Sequence, residues 1–154
     1  MILFRVLVLC AVCASMLRPA AALEVAGTVE RLQGTATATS SKGLSRPLQA
    51  GSSILVGDRL ATGSNARLRL RMTDGAVLTL GYGSEATIDA YSPDETAGQA
   101  IVNVSEGTFE VTSGVIATLG PGRFLIATPT AILSILGYRG TDVWGQQIGD
   151  RLGS

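Results

Sequence analysis

The chain has 154 residues, no histidine and two cysteines, and its 12 basic and 12 acidic residues give a formal charge of zero. The lack of histidine excludes Ser-His-Asp triads, and because Cys10 and Cys13 are the only cysteines, residues 23–154 can hold no cysteine nucleophile, disulfide or His/Cys zinc site. This length predicts one domain with a modest core, for which we expect no cofactor.

Residues 1–22 have the three parts of a secretory signal peptide. A short start with one positive charge precedes the apolar run 6–17, and the small residues 20–22 supply a cleavage site. The apolar run is shorter than the roughly 20 residues that span a membrane. We therefore expect a cleavable signal peptide at 1–22 and a periplasmic or secreted mature chain at 23–154.

The predicted mature chain is slightly acidic. Removal of Arg5 and Arg18 with the signal leaves 10 basic and 12 acidic residues, a formal charge of 10 − 12 = −2. A chain that binds nucleic acid or an anionic membrane surface is usually basic. We expect no nucleic-acid partner.

Short strands and turns alternate in the first part of the mature chain. Residues 27–29 and 34–39 are predicted strands, and residues 40–43 form a polar turn. Residues 46–51 and 55–58 are further short segments that end near glycine. No long helix is predicted.

A hairpin is predicted between residues 66–72 and 76–80. Both segments alternate polar with apolar residues, and Asp74-Gly75 between them is a strong turn signal. The period of two places Leu68 and its apolar neighbours on a buried face and the three intervening arginines on a solvated face.

The remaining elements are also short strands. Residues 86–90 alternate, residues 92–98 form a loop, and residues 101–104 are predicted to pair with 109–111 around a turn. Turn signals recur about every 8–12 residues, which is typical of all-β folds. We predict short antiparallel strands in two packed twisted sheets or in a compact solenoid-like wrap.

Several glycines and aspartates are predicted to shape the turns. Glycine adopts positive φ readily, and an aspartate carboxylate can accept hydrogen bonds from nearby backbone amides. The glycines expected at positive φ are Gly51, Gly57, Gly63, Gly75 and Gly107, and the turn-forming aspartates are Asp58 and Asp74.

An ordered series of glycine turns gives the chain a family resemblance. The phrases that carry it are residues 27–34, 47–51, 56–64, 69–75, 124–131 and 139–142, the last of which contains Gly140 as a further structural turn. Together they closely resemble the FecR domain, the periplasmic module of envelope signalling regulators in Gram-negative bacteria. The resemblance extends from about Ala26 to Trp144.

The resemblance implies an all-β periplasmic domain that senses and contacts proteins and catalyses nothing. In signalling members a cytoplasmic segment binds a sigma factor. Only residues 1–5 precede the apolar segment here, so we expect no direct sigma-factor contact and interpret the chain as a stand-alone exported form. Residues 130–138 exceed the usual family spacing, which leaves the strand register there open. The family usually continues past the residue 139–142 phrase, so a domain truncated at Ser154 is also an expectation.

Arginines are the candidate partner-binding residues. Arg67, Arg69 and Arg71 present guanidinium forks that match carboxylate or phosphate oxygens, although a solvated strand face would have the same pattern. Arg139 is a fourth candidate, which could instead lock two segments together. The corresponding partner is an unidentified envelope protein.

Other function classes remain as alternatives. A peptidoglycan- or polysaccharide-binding module would use the aromatic residues Tyr82, Tyr91 and Trp144, although with so few aromatics we favour packing on a sheet or a role at an interface for them. A truncated or degenerate structural domain would not unfold cooperatively. An enzyme would have to rest on carboxylates such as Glu106 and Glu110 alone. We expect a non-enzymatic interaction module that recognises a protein partner.

Overall fold

The computed structural model describes residues 23–137 and the backbone of the strand at 142–144. These residues form thirteen strands and one short helix, α1, at Val115–Thr118. The strands are β1 Val25–Gln33, β2 Ala36–Thr39, β3 Ser45–Pro47, β4 Ser53–Leu55, β5 Arg59–Thr62, β6 Arg67–Met72, β7 Val77–Leu80, β8 Glu85–Ser92, β9 Gln99–Glu106, β10 Phe109–Thr112, β11 Phe124–Ala127, β12 Ile132–Ile135 and β13 Asp142–Trp144.

The strands form two sheets that share one hydrophobic core. The first sheet has the order β13-β10-β7-β6-β1-β4, and the second has the order β12-β11-β9-β8-β5-β2-β3. Buried aliphatic side chains from both sheets, such as Leu70 on β6 and Ile88 on β8, belong to the same core cluster. The predicted all-β fold with two packed sheets is confirmed, and its solenoid-like alternative is not the arrangement that forms.

The predicted hairpin is β6 and β7, and it lies in the middle of the first sheet. Leu68 and Leu70 are fully buried and Met72 is 2% exposed, whereas the arginines between them are exposed. Gly75 in the connecting turn has φ of +87°, the left-handed conformation that glycine adopts most easily. Alternating residues on β6 therefore anchor the hairpin in the core and present its arginines outward.

One predicted strand pairing and the predicted antiparallel direction of one pair differ from the structure. β9 and β10, which contain residues 101–104 and 109–111, do not pair with each other, because the chain changes sheet between them. β9 instead pairs with β8 and with β11, and the β9–β11 pair is parallel. A parallel pair needs a long crossover connection, which β10 and α1 provide. The second sheet is therefore mixed and not purely antiparallel.

The segment that exceeds the usual family spacing, residues 130–138, contains an edge strand of the second sheet. β12 at Ile132–Ile135 pairs antiparallel with β11, Phe124 standing opposite Ile135. The three positions before Ile135 are exposed, and Ile132 has 71% of its surface accessible.

The chain passes between the two sheets many times. No more than two consecutive strands belong to the same sheet before the path crosses to the other. Each sheet is consequently assembled from segments that are distant in sequence, as in the pairing of Gln33 on β1 with Arg67 on β6. Of the residues that the structure describes, none belongs to a helix long and apolar enough to cross a membrane.

Candidate functional site

The outer face of the first sheet carries a group of arginines. Arg67, Arg69 and Arg71 project from β6 with 61%, 45% and 56% of their side chains exposed. Arg31 on β1 stands directly opposite Arg69 in the antiparallel register. We call these four residues the arginine face.

A β-bulge places an acidic residue among the arginines. The β1–β6 register shifts between Val29 and Arg31, so that Glu30 is an extra residue on β1 and is exposed on the same side as Arg31. Glu30 accepts hydrogen bonds from Arg69 Nε at 2.7 Å and from Arg71 Nε at 3.2 Å. The Arg71 hydrogen bond and then the Arg69 hydrogen bond hold the pKa of Glu30 below its ordinary value.

The other two arginines are less completely neutralised. Arg67 Nη2 lies 3.4 Å from Glu110 Oε2 on β10, a long contact for an ion pair. Within residues 23–137 Arg31 makes no ion pair. Its position opposite Arg69 brings two like charges together, which destabilises a sheet by a few tenths to about 1 kcal/mol. The arginine face therefore retains positive charge that this part of the chain does not balance.

Two concave regions border the arginine face. The small pocket, of about 250 Å³, is lined by Arg31, Gln33, Arg67 and Arg69. The large groove, of about 430 Å³, lies on the other side of Arg67. Its polar and aromatic lining includes Asn65, Arg67, Thr79, Tyr82, Thr108 and Glu110. Both regions have polar linings suited to a polar ligand. Among the residues described, no group of three or more His, Cys, Asp or Glu side chains could hold a metal ion.

Tyr91, a candidate glycan contact under the alternative of a polysaccharide-binding module, is buried with 3% exposure. The β8–β9 register shifts between Ile88 and Ala90, so a second bulge reverses the side on which the following residues lie. The side chain of Tyr91 therefore points into the core, and the assignment to a glycan platform is wrong. Burial raises the pKa of Tyr91 above its ordinary value.

The hydroxyl of Tyr91 completes a buried polar cluster with Asp74. It accepts a hydrogen bond from the Asp74 backbone N–H at 2.8 Å and donates one to Asp74 Oδ1 at 2.7 Å. The same carboxylate accepts hydrogen bonds from the backbone N–H groups of Ala76 and Ile116, each at 3.2 Å. Asp74 is thus a turn residue that also connects the β6–β7 hairpin to β8 and α1.

The other aromatic candidates occupy different positions. Tyr82 has 61% of its surface exposed and lines the large groove. In the backbone register Trp144 stands opposite Glu110, which lines the same groove. Arg139 and Gly140 lie outside the described residues.

Asp58 also has the geometry predicted for a turn former. Its Oδ2 accepts a hydrogen bond from Leu55 N–H at 2.8 Å. The carboxylate, 1% exposed, is held by both terminal nitrogens of Arg46, and the Nη1–Oδ1 distance is 3.1 Å. This bidentate pair raises the pKa of Arg46.

Four of the predicted turn glycines have the expected positive φ and one does not. Gly51, Gly57, Gly75 and Gly107 have φ between +87° and +92°. Gly63 lies outside the positive-φ region, so the expectation is wrong there. A Cβ at Gly63 would lie 2.7 Å from Thr35 Oγ1, so this position favours glycine because another segment approaches closely.

Sequence reasoning did not identify Arg31 and Glu30 as site residues. Two consecutive polar residues, Glu30-Arg31, interrupt the alternation between Val29 and Leu32. Such an interruption is the local signal of a bulge. With it, Arg31 would have been placed beside the β6 arginines.

Comparisons with known proteins give two matches. The family model described as FecR protein matches residues 58–150. The match begins after β4, whereas the sequence resemblance began near Ala26. Among solved structures, the chain is similar to one described as a cell surface anchoring domain, with 27% identity over 40% of this chain and 82% of that chain and a TM-score of 0.39. The search of curated proteins finds no match.

Proposed function

The chain belongs to the FecR family, and from this premise we propose that it is a non-catalytic, envelope-associated module that recognises a protein partner through the arginine face. We place this role in envelope signalling or assembly. The family match supports an envelope location, and the signal peptide predicted at residues 1–22 agrees with a periplasmic or secreted one. Sigma-factor contact has no part in this proposal.

The observation that carries the proposal is the excess positive charge on the outer sides of three described strands of the first sheet, β1, β6 and β10. The outer sides of β1, β6 and β10 carry four arginines and two glutamates among their ionisable residues, a balance of 4 − 2 = +2. The predicted mature chain as a whole has a charge of 10 − 12 = −2. Complementary charge of this kind accelerates association with an acidic surface and selects against basic partners.

A crosslinked pull-down from cell envelopes tests the proposal. The wild type is compared with a variant in which Arg67, Arg69 and Arg71 are replaced by Ala. The matched control replaces three exposed basic residues away from the arginine face, in the variant Lys42→Ala/Arg59→Ala/Arg123→Ala, which changes the net charge equally. Thermal unfolding of each variant verifies that it is folded.

We expect one envelope protein to be retained by the wild type and by the control variant but lost by the β6 variant. This protein would then be identified by mass spectrometry. If the two variants retain the same proteins as the wild type, the arginine face is not the recognition surface. If both lose them equally, net charge alone explains retention and the proposal fails.

The large groove favours a second candidate function, the binding of a cell-wall glycan. Its exposed Tyr82, with the polar groups of Arg67 and Glu110 nearby, offers a stacking surface and hydrogen-bonding groups to a sugar. Retention on isolated peptidoglycan should then fall in Tyr82→Ala and not in Leu44→Ala, which removes an exposed apolar side chain elsewhere. Equal retention of both variants would eliminate this candidate.

A further inference from the structure

In the small pocket, no carboxylate of the described chain neutralises Arg31, although carboxylates pair with the neighbouring arginines. On the arginine face, one carboxylate of this chain, that of Glu30, bridges Arg69 and Arg71. Glu110 approaches Arg67 from the opposite side. Within residues 23–137 no carboxylate reaches Arg31, which forms one wall of the small pocket.

The register explains why the charges concentrate at this position. Arg31 is opposite Arg69, and Gln33 is opposite Arg67. These two neighbouring cross-strand pairs bring three guanidinium groups and one amide together. Like charges placed opposite each other oppose sheet pairing. A bound anion would turn this repulsion into attraction.

From this arrangement we propose that the small pocket binds the carboxylate of an acidic side chain on the protein partner. The inference rests on the proposed function and adds the chemistry of the contact. Guanidinium forks bind a carboxylate through two parallel hydrogen bonds, and the Gln33 amide adds a neutral donor.

The surroundings favour a carboxylate over a phosphate. Arg69 and Arg71 already hold a glutamate carboxylate, so the geometry of this face accommodates that group. The pocket, at about 250 Å³, also has the size for a side chain rather than for a large ligand.

A peptide titration tests the inference. The purified protein is titrated with an end-blocked hexaglutamate peptide, with hexaglutamine and with inorganic phosphate, at about 0.15 M ionic strength. The arginine Nε–H resonances are followed by NMR. Arg31→Gln removes one wall of the pocket, and Arg59→Gln, at an exposed arginine paired with Glu85 on the second sheet, changes the net charge equally.

Hexaglutamate is expected to shift the resonances of Arg31 and Arg67 and to bind about tenfold more weakly to Arg31→Gln than to Arg59→Gln. Hexaglutamine is expected to cause no shift. Equal affinity of the two variants, or no binding to the wild type, would overturn the inference. Phosphate that binds as tightly as the peptide and displaces it would also overturn it, because the pocket would then be a general anion site.

The pull-down separates this inference from the proposed function. The inference predicts that Arg31→Gln retains less of the partner than Arg59→Gln does. If Arg31→Gln retains the partner fully while the triple β6 variant loses it, recognition through the arginine face stands and the carboxylate pocket does not. If Arg31→Gln and the triple β6 variant both retain the partner fully, the proposed function itself is wrong.

Discussion

Replacement of Tyr91 by phenylalanine should destabilise the fold strongly although it removes one oxygen atom. The hydroxyl makes two hydrogen bonds within the buried cluster, one to the Asp74 carboxylate and one from the Asp74 backbone N–H. The substitution leaves the aromatic ring in the core and creates no large cavity. The effect therefore reports on the polar cluster alone.

The magnitude follows from the two lost contacts. A hydrogen bond to a charged group contributes about 1.5–3 kcal/mol, and a buried donor left without a partner costs about 1–3 kcal/mol. The carboxylate keeps its bonds to Ala76 and Ile116, which limits the total. We expect Tyr91→Phe to lower the free energy of unfolding by about 2–4 kcal/mol, a large share of the roughly 5–15 kcal/mol typical of a domain.

Urea unfolding followed by circular dichroism measures this change. Tyr82→Phe is the matched control, because Tyr82 is 61% exposed and its replacement should change stability by no more than about 0.5 kcal/mol. The slope of the unfolding free energy against urea should be unchanged, since the compactness of the native state is kept.

The pH dependence supplies a second readout. Burial raises the pKa of Tyr91 in the folded protein above its unfolded value of about 10. The stability that this shift provides is complete below the unfolded pKa and is lost as pH rises through the folded pKa. The difference between wild type and Tyr91→Phe should therefore shrink above about pH 10. A Tyr91→Phe protein within about 0.5 kcal/mol of the wild type at neutral pH would refute the reasoning.

Three further predictions concern the site and its supports. The pKa of Glu30, measured by NMR, should rise toward its ordinary value in Arg71→Gln, and an unchanged pKa would contradict the observed contacts. In the wild type, the stability that this ion pair provides is present above the unfolded pKa of Glu30 and should be lost as pH falls through its depressed folded pKa. Gly51→Ala should cost about 1 kcal/mol for its positive φ alone, whereas Gly107→Ala should cost about 3 kcal/mol or more, because its Cβ would also lie 2.2 Å from Ser84 Oγ; equal losses in urea unfolding would contradict this. Arg46→Ala should lower the free energy of unfolding by about 2 kcal/mol, less than the loss of a fully buried pair because Arg46 is 35% exposed. A decrease of less than about 0.5 kcal/mol, the size of an ordinary surface change, would contradict this prediction.

The sequence predicts best where alternation is unbroken. Leu68, Leu70 and the arginines between them follow a strict period of two, and the structure places them on the predicted faces. The turn at Asp74-Gly75 was equally predictable, because its chemistry is local. The fold class follows from many such segments taken together.

The failures occur at bulges and at changes of sheet. One extra residue at Glu30 turns Arg31 to the solvated face, and another beside Ala90 turns Tyr91 into the core, so strict alternation predicts neither position. The β9–β10 pairing failed for a different reason. Strands adjacent in sequence usually pair, and nothing local in the turn before Phe109 indicates that the chain changes sheet there.

The repeated crossing between sheets also determines how quickly the molecule reaches its native state. Most strand pairs join distant positions, as Gln33 does with Arg67 and Ala61 does with Glu85. Folding slows as the mean sequence separation of contacting residues grows, and sandwiches of this kind fold in milliseconds to seconds. Neither sheet can close until strands from both ends of the domain have been synthesised. If residues 1–22 direct export as predicted, this delay extends the time during which the new chain is unfolded and can be translocated.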